Sequence, residues 1–120
     1  MPPARQNVQT FLPLTPAVFH ILLALVDGDR HGYGIAKEVA ARTDESVRLG
    51  PGTLYGTLNR LMEAELVEER PRPDRTAGSD DRRRYYRITS LGRDVARAEA
   101  RRLAELVDVA RAKALIGRER

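Results

Sequence analysis

Cysteine and tryptophan are both absent from these 120 residues, and histidine and lysine occur only twice each. Without cysteine there is no disulfide scaffold, no thiolate nucleophile and no Cys-based zinc site. The longest apolar run, Ile21 to Val26, is far too short to cross a bilayer. No basic region followed by an apolar core opens the chain, so no signal peptide is expected and a cytoplasmic location is the default. The constellations of an enzyme are also missing. His20 and His31 have no cysteine to pair with, no G-x-S-x-G elbow occurs, and the carboxylates are mostly interleaved with arginine. No catalytic residue, cofactor or metal is expected.

What is present is a chain of one-domain length, with 42% apolar residues and therefore enough material for one modest core. Lys+Arg number 21 against 17 Asp+Glu, a net +4 carried almost wholly by arginine, the residue better suited to forked contacts with phosphate and guanine. The excess is local. Between Arg70 and Arg87 lie seven arginines opposed only by Asp74, Asp80 and Asp81, so this segment alone carries +4. A compact basic element on a small domain is the footprint of nucleic-acid binding; a solvated loop is its bland counterpart.

Periodicity orders the chain. Residues 1–13 show no pattern and read as a flexible arm. Thr15 as N-cap and Pro16 at the first helical position open a helix whose apolar face is Val18, Ile21, Leu22, Leu25 and Val26. A second helix is predicted from Gly32 to Thr43, with Ile35 and Val39 inward and Lys37, Glu38 and Arg42 outward. Val47 to Leu49 could form a very short strand. Gly50-Pro51 opens a third helix, to about Ala64, with Leu54, Leu58, Leu61 and Met62 on its core face. Thr53, Tyr55, Thr57, Asn59 and Arg60 lie mainly on the other side. Leu66–Arg70 and Arg84–Thr89 have strand character, joined by a long polar, basic tip. Of Tyr85 and Tyr86, alternation puts one in the core and one at the surface. Ser90 can cap a last helix running to about Ile116, before Gly117. Its stripe of Ala96, Ala100, Leu103, Leu106, Val107, Ala110 and Ala114 is too long for the preceding domain to cover, so a partner helix is the natural cover. A purely intrachain helix is the alternative. The expected fold class is mainly α with a small β-hairpin: a winged helix-turn-helix over residues 14–89, then a dimerisation helix over 90–117.

Two motifs invite other readings. Gly50, Gly52 and Gly56 approach a dinucleotide fingerprint, but the spacing is one residue off and the strand–helix alternation such a site needs is missing. Read as a helix start, the same residues offer free N–H groups to an anion such as a DNA phosphate. Asp27 to Glu38 matches most of a calcium loop, with His31 where an oxygen ligand belongs and Arg30 repelling a cation.

Three segments, H-G-Y-G-I at His31 to Ile35, G-P-G-T-L-Y at Gly50 to Tyr55 and R-R-Y-Y-R-I-T-x-L-G at Arg83 to Gly92, resemble the PadR family of bacterial transcription regulators. The likeness covers roughly Leu14 to Leu103 and is closest to the subfamily with a single C-terminal helix. It implies a homodimeric repressor on a palindromic operator. The third helix would be the recognition helix, with Thr53, Tyr55 and Arg60 as base or phosphate contacts, Asn59 and Thr57 as further ones, and Gly52 clearing room for the backbone. Packing is the competing role for Tyr55. Lys37 and Arg48 would hold phosphates, and Arg72, Arg75, Arg82 and Arg83 in the wing would reach backbone or minor groove. Some multidrug-sensing relatives sandwich flat ligands between tryptophans. With none here, a small aromatic or hydrophobic effector between the first and last helices would have only phenylalanine and tyrosine to stack on. A winged-helix module that binds a partner protein, without specific DNA binding, is the alternative function.

Overall fold

The computed structural model describes residues 7–71 and 84–117. Among these, four helices, α1 (Pro16–Val26), α2 (Gly32–Arg42), α3 (Pro51–Glu63) and α4 (Ser90–Ala112), surround three short strands, β1 (Arg30–His31), β2 (Val67–Arg70) and β3 (Tyr85–Ile88). The fold is mainly helical with a small antiparallel sheet of order β1-β3-β2. Register pairs Arg70 with Tyr85 and Val67 with Ile88 on one side of β3, and His31 with Tyr85 and Arg30 with Tyr86 on the other. The third strand is an addition to the hairpin expected from sequence, because a two-residue strand has no period to detect. The expected strand at Val47–Leu49 does not form; those residues are irregular.

Local chemistry explains most boundaries. Thr15 accepts a hydrogen bond from the Val18 N–H and Pro16 takes the first helical position of α1. His31 caps α2, its Nδ1 accepting from the Gly34 N–H at 3.0 Å. For α4 the cap is Thr89, not Ser90: its hydroxyl accepts from the Gly92 N–H at 2.9 Å. The far ends of α2, α3 and α4 share one device. The residue after each C-cap, Asp44, Glu65 or Ala114, has positive φ. The following N–H then reaches back to Ala40, Leu61 or Ala110, the Schellman arrangement usually built on glycine. Hence α4 stops at Ala112, four residues before the expected Ile116, and Ala114 lies beyond it.

The core joins Ile21, Leu22 and Leu25 of α1, Ile35 and Val39 of α2, Leu54, Leu58 and Leu61 of α3, Leu66, Val67, Tyr86 and Ile88 around the sheet, and Val95 and Ala96 of α4. Tyr86 is the buried member of the tyrosine pair, and Tyr85 lies half-buried with its ring edge-on to His31. Of the expected flexible arm, residues 1–6 lie outside the described residues; further along, Val8–Phe11 form a turn of 3-10 helix, and Val8, Phe11, Leu12 and Leu14 pack against the core.

One buried charge belongs to this packing. Glu99, 2% exposed, accepts from the Leu14 N–H and from Arg102 Nε and Nη2 at 2.7 and 2.9 Å. The Arg102 hydrogen bonds hold its carboxyl below the usual carboxylate range, against the opposing effect of burial. A group whose pKa is lowered by folding stabilises above its unfolded pKa, and that stability is lost as pH falls through the lowered value. Thermal melts of wild type and Glu99→Gln are therefore expected to differ at neutral pH and to draw together as pH falls below the ordinary carboxylate range and through the lowered value.

Candidate nucleic-acid interface

Helix α3 begins without a side-chain cap. Gly50 occupies the N-cap position, Pro51 follows, and no acidic residue lies in the first turn. Gly52 and Thr53 are exposed there. Such an end presents backbone N–H groups and positive dipole to whatever anion approaches.

The outer face of α3 continues through exposed Asn59 and Arg60. Arg60 lies back along the helix, its Nη1 4.0 Å from where a Cβ on Gly56 would stand. Its Nη2 is 3.4 Å from the Thr57 hydroxyl. Thr57 itself is 3% exposed, so its expected place on the outer face is corrected: it is buried beside Leu58 and steadies Arg60 from within. Tyr55 is 44% exposed. Its hydroxyl is 2.3 Å from the position a Cβ on Gly32 would take, so the phenol end is tucked against the start of α2. Packing therefore claims the hydroxyl, and the outer part of the ring is what remains for a ligand. Gly32 is small because Tyr55 crosses it.

Around α3 lie the other cations. Arg48 is exposed and pairs loosely with exposed Glu45 at 3.6 Å, a contact weak enough to yield to a phosphate. Lys37 is exposed on α2 with its Nζ 5.5 Å from the centroid of the Tyr33 ring. Arg72, Arg75, Arg82 and Arg83 fall outside the described residues. Of the remaining arginines in the basic segment, Arg84 binds Glu69 across the hairpin and Arg87 makes a forked contact with Asp29 at 3.2 and 3.3 Å. These two guanidinium groups are thus already paired with carboxylates beside the sheet. The fork on Asp29 was not legible from sequence, since 58 residues separate the partners.

The calcium-like stretch is a network of ion pairs. Arg30 donates to the Ala24 carbonyl at 2.7 Å and reaches Glu38 at 2.6 Å, and Arg42 approaches Glu38 at 3.8 Å. The carboxylate of the apparent motif thus faces two guanidinium groups. His20 lies at the far end of this network, its Nδ1 3.1 Å from Arg42 Nη1. Burial and the Arg42 charge lower its pKa. It is a half-buried histidine on an otherwise apolar helix.

The proposed dimer stripe divides in two. Ala96 is 6% exposed and belongs to the core of its own chain, a correction to its expected place in a dimer seam. From Ala100 onward α4 leaves the core: Ala100 is exposed, Leu103 and Ala110 are half-buried, and Leu106 and Val107 are 53% and 41% exposed. Val109, 49% exposed, widens the apolar surface beyond the expected stripe. Among the described residues no helix is long and apolar enough to cross a membrane.

Three helices, a small antiparallel sheet against them and a long closing helix define a winged helix-turn-helix protein. Residues 21–98 match the Transcriptional regulator PadR-like family, and the chain belongs to it. Members of this family are transcription regulators, not enzymes. Transcriptional regulator Rv3488 of Mycobacterium tuberculosis is 39% identical over 88 residues, covering 72% of this chain and 75% of that protein. Two other curated relatives, from Lysinibacillus sphaericus and Streptomyces fradiae, are spanned over only 64% and 22% of their length. Among solved structures, a transcriptional regulator from Clostridium thermocellum superposes with a TM-score of 0.67 at 26% identity, covering 88% of this chain and 91% of that one. A PadR family transcription regulator from Clostridium difficile gives 0.66 at 25%, covering 79% and 94%.

Proposed function

We propose that this protein is a homodimeric repressor that binds a palindromic operator through the exposed face of α3 in the major groove. The observation that carries the reading is the uncapped N-terminus of α3, with Thr53, Asn59 and Arg60 exposed along the same helix. Phosphates meet the helix end, Lys37 and Arg48, while Arg60 and Asn59 offer the forked donors that read guanine and adenine edges. A second copy, joined through α4 beyond Ala100, places a second α3 one helical turn along the duplex. A small aromatic or hydrophobic ligand that changes the angle between the two halves would alter that spacing and release the operator.

Operator binding is tested by gel shift on the DNA upstream of its own gene, over a salt series. Arg60→Ala is expected to cost about 1–3 kcal/mol of specific binding and to relax discrimination at one base position. Arg48→Ala is expected to weaken all duplexes evenly and to lower the salt slope by about one. Unchanged operator affinity in Arg60→Ala would mean that α3 is not the reading helix. Absence of binding even at low salt would favour a protein partner for the same surface.

A further inference from the structure

The strongest feature outside the groove-facing side of α3 is Tyr33. It is 62% exposed, more than any other aromatic among the described residues. An exposed tyrosine adds little to the core, and tyrosine is a poorer helix former than the straight-chain residues that usually fill such positions. Packing alone therefore does not account for it.

Its surroundings are ordered. Lys37 lies one turn along α2 on the same face, with its ammonium 5.5 Å from the Tyr33 ring centroid. On the other side the ring is parallel to the His31 imidazole, with 4° between planes and 6.4 Å between centroids. His31 in turn meets Tyr85 of β3 edge-on. The residue before Tyr33 is Gly32, across which Tyr55 of α3 is laid. The two residues before Tyr33 thus join α2 to its neighbours, Gly32 to Tyr55 of α3 and His31 to Tyr85 of β3. The first of these neighbours is the reading helix of the function proposed above, and the second leads to the basic segment that the family resemblance places on the DNA backbone or minor groove.

We infer that Tyr33 and Lys37 together grip one DNA phosphate from α2, Tyr33 through its phenolic O–H and Lys37 through its ammonium. The cation–π contact sets the spacing of the two donors before DNA arrives. The phenol is neutral, so its bond to phosphate releases no extra counterion, whereas the ammonium releases about one. Neither donor reads a base, so both act alike on every sequence.

This inference rests on the DNA-binding reading, and the experiment separates the two. Tyr33→Phe keeps the ring, and with it the position of Lys37, and removes only the O–H. It is expected to weaken binding to operator and to random duplex alike by roughly 3- to 10-fold, with an unchanged salt slope. Lys37→Ala should lower the slope by about one on both duplexes. Wild-type binding by Tyr33→Phe, measured beside an Arg60→Ala that does weaken operator binding, overturns the grip and leaves the proposed function standing. A Tyr33→Phe loss confined to the operator also overturns it, since that pattern belongs to a base contact. If Arg60→Ala and Tyr33→Phe both bind like wild type, the grip falls and so does α3 as the reading helix; if wild type itself binds neither duplex at low salt, the grip and the DNA-binding reading fall together. Matching thermal melts of wild type and Tyr33→Phe confirm that the fold is unchanged.

Discussion

Gly92→Ala is expected to be among the most damaging single substitutions of a methyl's size in this chain. Gly92 lies in the first turn of α4, and a Cβ there would stand 2.2 Å from the Leu66 carbonyl oxygen and 2.8 Å from Ile88 Cγ1. The first of these atoms is backbone, and that backbone is held from several directions. The Leu66 carbonyl accepts from the Thr89 N–H at 3.0 Å, the Leu66 N–H reaches Leu61 at 2.9 Å, and the Thr89 hydroxyl donates to the Glu65 carbonyl at 2.7 Å. The end of α3, the start of β2 and the start of α4 meet at this joint, so no flexible side chain can absorb the added methyl. Overpacking of this kind costs about 3 kcal/mol. That is a large share of a typical domain's total of roughly 5–15 kcal/mol. Gly56→Ala supplies the contrast, because glycine in both places interrupts a helix. At Gly56 the new methyl would meet only the end of Arg60 at 4.0 Å, and the gain in helix propensity should stabilise by about 0.5–1 kcal/mol. Chemical denaturation of the two variants should thus move in opposite directions. Equal stability would mean that the joint at Leu66 does not close as described.

That joint also marks where sequence reading works and where it stops. The helices were legible because Ile21, Leu22 and Leu25, or Leu54, Leu58 and Leu61, repeat at the period of a helix and are buried accordingly. Thr15 and Pro16 declared the start of α1 by chemistry that acts within three residues. The exits were less legible. Glycine is the usual signal for a left-handed residue after a helix, yet Asp44, Glu65 and Ala114 take that role here. A reader waiting for Gly117 overruns α4. Thr57 differs for a related reason: a polar side chain beside an apolar stripe reads as outward, yet this one is buried, and its hydroxyl accepts from Arg60 three residues further along the same helix. Of the interface, residue types and their order along α3 were legible, while Tyr55 lying across Gly32 was not, because nothing local relates two residues on different helices. Glu99 carried no signal either. In an arginine-rich helix a glutamate reads as one more solvated charge, and its burial depends on the chain doubling back to bring Leu14 to it.

The largest functional loss is expected from a substitution far from DNA, Leu106→Glu. Leu106 is 53% exposed and Val107 41% exposed within one chain, so the fold of that chain does not depend on either side chain being apolar. The dimer proposed above does. A carboxylate at Leu106 would have to be desolvated in the seam, next to its own symmetry copy, and the alternative of remaining monomeric is open to it. Sedimentation should then report a folded monomer at concentrations where wild type is dimeric, its melt independent of concentration and lower than wild type only by the mass-action stabilisation that the dimer supplies. A dimer on a palindrome gains from the second half-site being held at high effective concentration, a factor of about 10²–10⁴. Operator affinity should fall by that factor, while affinity for a duplex bearing a single half-site should stay the same. Ala104→Glu adds the same charge at an exposed position off the stripe and should leave both assembly and operator binding intact. Equal loss on single and paired half-sites would point to damage at α3 rather than at the seam. A Leu106→Glu protein that still sediments as a dimer would place the interface elsewhere on the molecule and remove α4 from the mechanism of operator recognition.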